Sequence, residues 1–236
     1  MVFALIFAGG VGRRMNSTAT GIPKQFLEIH GKPVIVHTIE HFQKCAMIDG
    51  ICVVVGSDWL DYMKALSERY GLAKIRWLVP GGETALSSQY NGLKAISKSG
   101  EENCIVMIHD GVRPLIDEKL IQTCIDGVRL YGSAVTVAPA IETVVQVDSD
   151  KKIAATCPRE TCRLARAPQC FYLKDILDAH ERARREGVYD FVDSASLLLY
   201  YGMKIHTVEG PSENMKITNH VDFLSAGALL DAKGKK

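Results

Sequence analysis

Val2-Phe3-Ala4-Leu5-Ile6-Phe7-Ala8-Gly9-Gly10-Val11-Gly12-Arg13-Arg14-Met15 begins as an apolar run and ends in glycines and arginines. Val2–Phe7 is short and closed by Gly9-Gly10, which is the pattern of a strand buried on both faces. The glycines let the following backbone bend tightly and approach a ligand closely. Backbone N–H groups, Arg13 and Arg14 can then surround phosphate oxygens. The loop is not a Walker A loop, because Gly-Lys-Ser/Thr is missing, and it lacks the third glycine of the dinucleotide fingerprint. On the glycines alone, a plain tight turn with solvated arginines fits as well.

Strand-like and helix-like segments alternate after this loop. Helical spacing covers Pro33–Lys44, Asp58–Tyr70, Ser87–Ser97 and Glu118–Tyr131. Apolar strands are predicted at Gly50–Val55, Ile75–Val79, Cys104–His109 and Ser133–Ala138. Further on, helices are expected at Lys174–Glu186, Asp193–Tyr201 and Val221–Ala232, with a last strand at Ile205–Val208. Fully apolar strands in β-then-α order imply an α/β fold: a Rossmann-like three-layer sandwich with a mostly parallel sheet. Ligands in such sheets bind at the carboxyl ends of strands. Gly9–Arg14, Gly81–Ser88 and Asp110–Pro114 all fall there.

The rhythm breaks at Ile141–Cys170. Thr143–Val147 alternates loosely, Asp148–Lys152 reads as a turn and Ile153–Thr156 as a second short strand, so a β-hairpin is predicted. A lone hairpin is marginal in water. This arm, at about 139–166, is expected to pack on a second subunit of a homodimer. No linker or repeat divides the chain, so residues 1–236 are read as a single domain.

With 236 residues, 47% hydrophobic, 23% charged and a formal net charge of +1, the chain has the composition of a soluble globular protein. That balance argues against a nucleic-acid or membrane-surface binder. No window approaches the roughly 20 apolar residues of a membrane span. The seven cysteines show no Cys-x-x-Cys spacing and sit mostly in apolar runs, as in a cytoplasmic protein with reduced thiols. Cys157 and Cys162 lack the partners that would complete a metal site.

Pro23-Lys24-Gln25 adds a stiffened loop exit and a point charge for a phosphate, although a lone lysine reads equally as solvated surface. Together with Ala8–Met15 it resembles the glycine-rich signature of sugar nucleotidyltransferases. Four later segments are Gly81-Gly82-Glu83 with Ser88, Ile108-His109-Asp110-Gly111-Val112-Arg113-Pro114, Ala167-Pro168-Gln169 with Phe171, and Val192-Asp193-Ser194-Ala195-Ser196. A fifth is Glu213-Asn214-Met215-Lys216-Ile217-Thr218. In that order, from Leu5 to about Asp222, they resemble the cytidylyltransferase family that makes CDP-linked polyols. That family contains the methylerythritol-phosphate enzyme and its ribitol-5-phosphate relative.

The resemblance implies roles. Phe7, Ala8, Gly9 and Gly10, with Gly81, Gly82, Glu83 and Ser88, would hold the cytosine and ribose of CTP. Arg14 and Lys24 match the triphosphate ligands, and Asp110 the ligand of Mg2+ or another divalent cation. Arg159 and Lys216 match residues that grip the phosphate of the second substrate, and Thr143 another arm residue near it. Arg113 reads either as a nucleotide contact or as a structural ion pair. Plainer readings stand beside these: Asp110 and Asp193 as helix N-caps, His109 as a packed histidine, and Asn214–Lys216 as an ordinary loop.

The sequence departs from the family at Ala85, where an arginine is usual, and at Ala167, where relatives more often have threonine. Ala8-Gly9-Gly10, Gly111-Val112, Ile141–Val145 and Ser57-Asp58-Trp59 lean toward ribitol 5-phosphate and a role in wall or capsule polymer synthesis. Asp193–Ser196 leans toward the methylerythritol enzymes of isoprenoid synthesis. A non-catalytic nucleotide-binding relative is the further alternative that Ala85 raises.

Overall fold

Strand β1 (Val2–Ala8) has six of its seven residues buried and passes through the middle of the protein. Phe3 and Leu5 point to one apolar cluster, Ala4 and Ile6 to another, because successive side chains of a strand alternate in face. The computed structural model describes residues 1–9, 21–101 and 103–234. Gly10, Arg13 and Arg14 lie outside the described residues.

After β1 come β2 (Glu28–Ile29), β3 (Lys32–Pro33), α1 (Val34–Lys44), β4 (Gly50–Val55), α2 (Leu60–Arg69), β5 (Ile75–Pro80) and α3 (Ala85–Ser97). They are followed by β6 (Ile105–Asp110), α4 (Glu118–Tyr131), β7 (Ser133–Pro139), β8 (Val145–Val147), β9 (Ile153–Thr156) and β10 (Arg163–Tyr172). The chain closes with α5 (Leu173–Glu186), α6 (Ser194–Tyr200), β11 (Thr207–Glu209) and α7 (His220–Gly234). A seven-stranded sheet runs β11-β7-β10-β6-β1-β4-β5. Every neighbouring pair is parallel except those made by β10, which runs against both β6 and β7.

Helices cover both faces. Ile35, Ile39 and Phe42 of α1 and Ile121, Cys124 and Ile125 of α4 pack on one. Leu93 and Ile96 of α3 and Ile176 of α5 pack on the other. A third, smaller cluster joins Val112 and Leu115, just after β6, to Ile217 and to Ala226 of α7. That cluster lays the Lys216–Ile217 segment against the end of β6. Gly132 and Gly187 end α4 and α5 in the left-handed conformation, as glycines do at helix C-termini. Among the described residues, no helix is long and apolar enough to cross a membrane.

The predicted three-layer α/β architecture is what the structure has. The reading of Ile141–Cys170 as a hairpin region overlooked β10, which enters the central sheet from Arg163 onward. Its first half carries Arg163 and Arg166 and its middle carries Pro168, so no strand pattern shows in the sequence. Its register on β7 shifts between Ala165 and Gln169, and the buried Thr136 hydroxyl donates to the Pro168 carbonyl at 2.8 Å. The hairpin itself is β8 paired with β9, with every residue of both strands exposed. Asp148 Oδ1 shapes its turn by accepting from the backbone N–H groups of Asp150 and Lys152, both at 2.9 Å.

Replacing Thr136 by valine keeps the shape but leaves a buried carbonyl unpaired. We expect a loss of about 1–3 kcal/mol in denaturant unfolding; a variant as stable as wild type would assign the bend in β10 to other contacts. Two buried histidines set a pH dependence. Burial pushes His109 down to about 3 and His180 down to about 4, so both rings stay neutral in the folded protein. Below the ordinary histidine range the unfolded chain takes up protons that the folded chain refuses. The stability they confer is therefore full above about pH 6.5 and is lost as pH falls. Between pH 7 and pH 5 each ring removes about 2 kcal/mol. His180→Leu is expected to lose about that much less than wild type over this range, and equal losses would contradict the assignment.

Candidate active site

Four strand ends, those of β1, β4, β5 and β6, meet at the carboxyl edge of the sheet. Gly81 N–H donates to Val55 O at 2.7 Å, Gly111 N–H to Phe7 O at 2.9 Å, and Gln25 Nε2 to Ala8 O at 2.6 Å. Gly9 and Gly81 stand back to back around Ser88. A Cβ on Gly9 would lie 3.0 Å from Ser88 Oγ, and one on Gly81 3.2 Å from the same atom. The close approach of the two loops thus needs both glycines. The buried Ser88 hydroxyl donates to Thr84 O at 2.9 Å and accepts from Gly82 N–H at 3.0 Å, which fixes the turn before α3. Thr84 and Ser87 form a capping box there, with Ala85 as the first residue of the helix. The turn keeps its shape without an arginine at position 85. Glu83 lies exposed on its rim.

The charged part of the site surrounds Asp110, the last residue of β6. Arg113 Nε meets Asp110 Oδ2 at 2.7 Å, and Lys216 Nζ meets Oδ1 at 2.6 Å. Arg113 also donates through Nη1 to Asn214 O at 3.0 Å, and Asn214 Nδ2 donates to Ala167 O at 2.6 Å. Lys24 Nζ donates to Ile217 O at 2.8 Å, and Ile217 N–H to Val112 O at 3.0 Å. One carboxylate therefore gathers residues from four distant parts of the chain. Burial alone would raise the Asp110 carboxyl, but Arg113 and Lys216 outweigh it and hold it down at about 2. Two cations on one carboxylate, with Lys24 bonded to the Ile217 carbonyl beside them, leave a positive surplus that suits an anionic ligand.

Of the residues singled out in the sequence, Lys24, Asp110, Arg113 and Lys216 come together. Phe7, Ala8, Gly9, Gly81, Gly82 and Ser88 form the adjoining loops. Arg14 and Gly10 lie outside the described residues. Thr143 and Arg159 are exposed on the arm, and among the described residues no hydrogen bond or ion pair joins either to Asp110 or Lys216. Arg159 opens a turn in which its carbonyl accepts from Cys162 N–H at 3.2 Å.

Several plainer readings hold. His109 packs its ring 5.2 Å from that of Phe42, with Nε2 3.3 Å from Arg113 O, so it supports the loop. Asp193 caps α6, accepting from Ser196 N–H at 2.8 Å. Gln169 reaches the same cap: its Nε2 donates to Asp193 Oδ2 at 2.8 Å and its Oε1 accepts from Ala195 N–H at 3.1 Å. The Ala167–Gln169 and Asp193–Ser196 motifs thus serve in large part to tie α6 to β10. Asp110 is no helix cap; Asp117 caps α4.

Asn214 and Arg166 are the residues that sequence reasoning undervalued. The buried side chain of Asn214 ties the Lys216 segment to β10. Arg166 stands half-buried one residue before that tie. An arginine directly before the apolar Ala167-Pro168 was the available signal. A cleft of about 500 Å3, walled by Tyr90, His180, Arg184 and Phe191, opens beside the turn at Glu83–Ser87, and the Asp110 cluster lies outside it.

Known proteins resemble this chain along nearly its whole length. The family model described as IspD: 2-C-methyl-D-erythritol 4-phosphate cytidylyltransferase matches residues 2–232. The chain is 49% identical to a ribitol-5-phosphate cytidylyltransferase of Streptococcus agalactiae serotype V, over 99% of this chain and 96% of the relative. It is 40% identical to a 2-C-methyl-D-erythritol 4-phosphate cytidylyltransferase of Syntrophus aciditrophicus, over 97% and 95%. Among solved structures, 4-diphosphocytidyl-2C-methyl-D-erythritol synthase of Anaerococcus prevotii superposes with a TM-score of 0.84 at 28% identity, covering 98% of this chain and 96% of that one. On its sequence from end to end, and on the fold that carries the Asp110 cluster, the chain belongs to the IspD cytidylyltransferase family.

Proposed function

We propose that this protein transfers CMP from CTP to a polyol phosphate, D-ribitol 5-phosphate, releasing pyrophosphate and CDP-ribitol. The observation that carries the transfer reading is the Asp110 cluster, a positive surplus at the carboxyl edge of the sheet beside two glycine-lined loops. The choice of ribitol rests on its relatives. Those named ribitol-5-phosphate cytidylyltransferase in Streptococcus agalactiae and Vibrio parahaemolyticus are 49% and 44% identical, against 40% for the methylerythritol-phosphate enzyme above. CDP-ribitol would serve wall or capsule polymer synthesis. The seven free thiols and the use of CTP suit the cytoplasm.

The mechanism follows from charge and position. The acceptor's phosphate oxygen attacks the α-phosphorus of CTP in line, and pyrophosphate leaves. A phosphate monoester is already anionic near neutral pH, so neither a covalent enzyme intermediate nor a strong general base is needed. Gly9, Gly81 and Ser88 shape the loops for cytosine and ribose. Lys24 and Arg14 neutralise charge on the triphosphate, and Lys216 with Arg159 holds the acceptor phosphate. Asp110 is the carboxylate suited to Mg2+: it is ionised at every physiological pH and sits at the strand end. No group of three or more acidic, histidine or cysteine side chains surrounds it among the described residues. That donor set fits a cation that takes its other ligands from phosphate oxygens and water, and that would lower the charge on the transferred phosphate.

The arm supports a homodimer. Val145, Val147 and Ile153 are 40%, 61% and 67% exposed on a two-stranded ribbon too small to be stable alone. A partner subunit covering them would bring Arg159 and Thr143 to a site. Sedimentation at micromolar concentration is expected to give a dimer, and a monomer would remove the arm's role.

A pyrophosphate-release assay with CTP, Mg2+ and each acceptor tests the reaction. Ribitol 5-phosphate is expected to exceed methylerythritol 4-phosphate at least tenfold in kcat/KM. Turnover with methylerythritol 4-phosphate alone would establish the isoprenoid reading, and neither turnover nor CTP binding would establish a non-catalytic relative. Lys24→Ala and Asp110→Asn are each expected to cut turnover by about 100-fold or more. Near-normal rates in a folded variant would refute the role given to that residue.

A further inference from the structure

Arg166 stands on β10 directly before Ala167, whose carbonyl is held by Asn214. Asn214 in turn offers its own carbonyl to Arg113, the partner of Asp110. Arg166 is thus built into the frame of the charge cluster, yet its guanidinium makes no hydrogen bond or ion pair among the described residues. Its charged surroundings are Arg113, which repels it, and Glu213, which attracts it from the exposed start of the Asn214 segment. Burial and Arg113 press its pKa below the ordinary arginine range, with Glu213 opposing. A half-buried guanidinium that has no hydrogen-bond or ion-pair partner among the described residues, next to another arginine, is unfavourable by itself. An anion arriving between them would relieve it.

The strand order says which anion. In the sequence β10-β6-β1-β4-β5, the glycine loops follow β1 and β5, on one side of β6. Arg166 lies on the other side, on β10, where the chain between β7 and β10 also carries Thr143 and Arg159. We infer that Arg166 is a specificity-determining residue of the acceptor half of the site, donating to the phosphate monoester of the incoming polyol phosphate beside Lys216. Glu213 stands next to it as an acceptor for polyol hydroxyls. This inference rests on the reading of the acceptor as a polyol phosphate.

Steady-state kinetics on Arg166→Met and Arg166→Lys tests it. Arg166→Met is expected to raise KM for ribitol 5-phosphate by about 10- to 100-fold, the loss of one charge-assisted contact, while KM for CTP stays within about twofold. Arg166→Lys should fall between Arg166→Met and wild type. An unchanged acceptor KM, or an equal rise in both KM values, overturns the inference. Wild type that turns over no polyol phosphate overturns the functional reading instead. Calorimetric titration of inorganic phosphate then reads the anion contact without turnover. Weaker binding to Arg166→Met than to wild type supports the contact, and equal binding overturns it.

Discussion

A buried carboxylate with two cationic partners organises this protein's working edge. Asp110 ends the strand next to β1, loses nearly all contact with water, and would be costly there alone. Arg113 and Lys216 offset that cost, and each is held by further bonds: Arg113 to the Asn214 carbonyl, and the Lys216 segment to Val112 and Lys24. Removing Asp110 would leave two cations facing each other, and removing either cation would leave the buried carboxylate with a single partner. The loop after β6, the exit of the glycine-rich segment and the segment before α7 are thereby drawn to one point. In the proposed function, the positive charge that balances Asp110 is also what an anionic substrate would meet.

The sheet makes that meeting possible by putting strand ends from distant parts of the sequence side by side. β1, β4, β5 and β6 deliver their loops to one edge because all four run the same way. β10 runs the opposite way, so its first residues, not its last, reach that edge. It therefore enters the site from the arm side and carries Arg166 and Ala167 with it. In the proposed function, the insertion of β10 between β6 and β7 is what separates the nucleotide side of the edge from the acceptor side.

Much of this was legible in the linear pattern. The buried strands read as apolar runs and the helices by their 3.6-residue spacing. Lys24, Asp110, Arg113 and Lys216 were singled out with separate roles through the family resemblance that the ordered motifs carry. β10 was not legible, because arginines and a proline interrupt it, and what holds it is pairing on both sides by strands already in place. The role of Asn214 was also hidden, since its value lies in a carbonyl 47 residues away. Asp193 reads in the sequence as a helix N-cap and is one, while the part Gln169 plays in fastening that helix shows only in the structure.

The sequence by itself determined the layered α/β architecture, the glycine positions where two loops approach, and the charged residues available to bind an anion. These depend on local periodicity and on residue chemistry, which the chain order carries directly. Only the tertiary structure decided which charges share one carboxylate, which polar motifs are braces, and that an arginine of β10 stands beside them without a hydrogen-bond partner among the described residues. Those are properties of distance and burial, and they exist only once strands far apart in sequence lie next to one another.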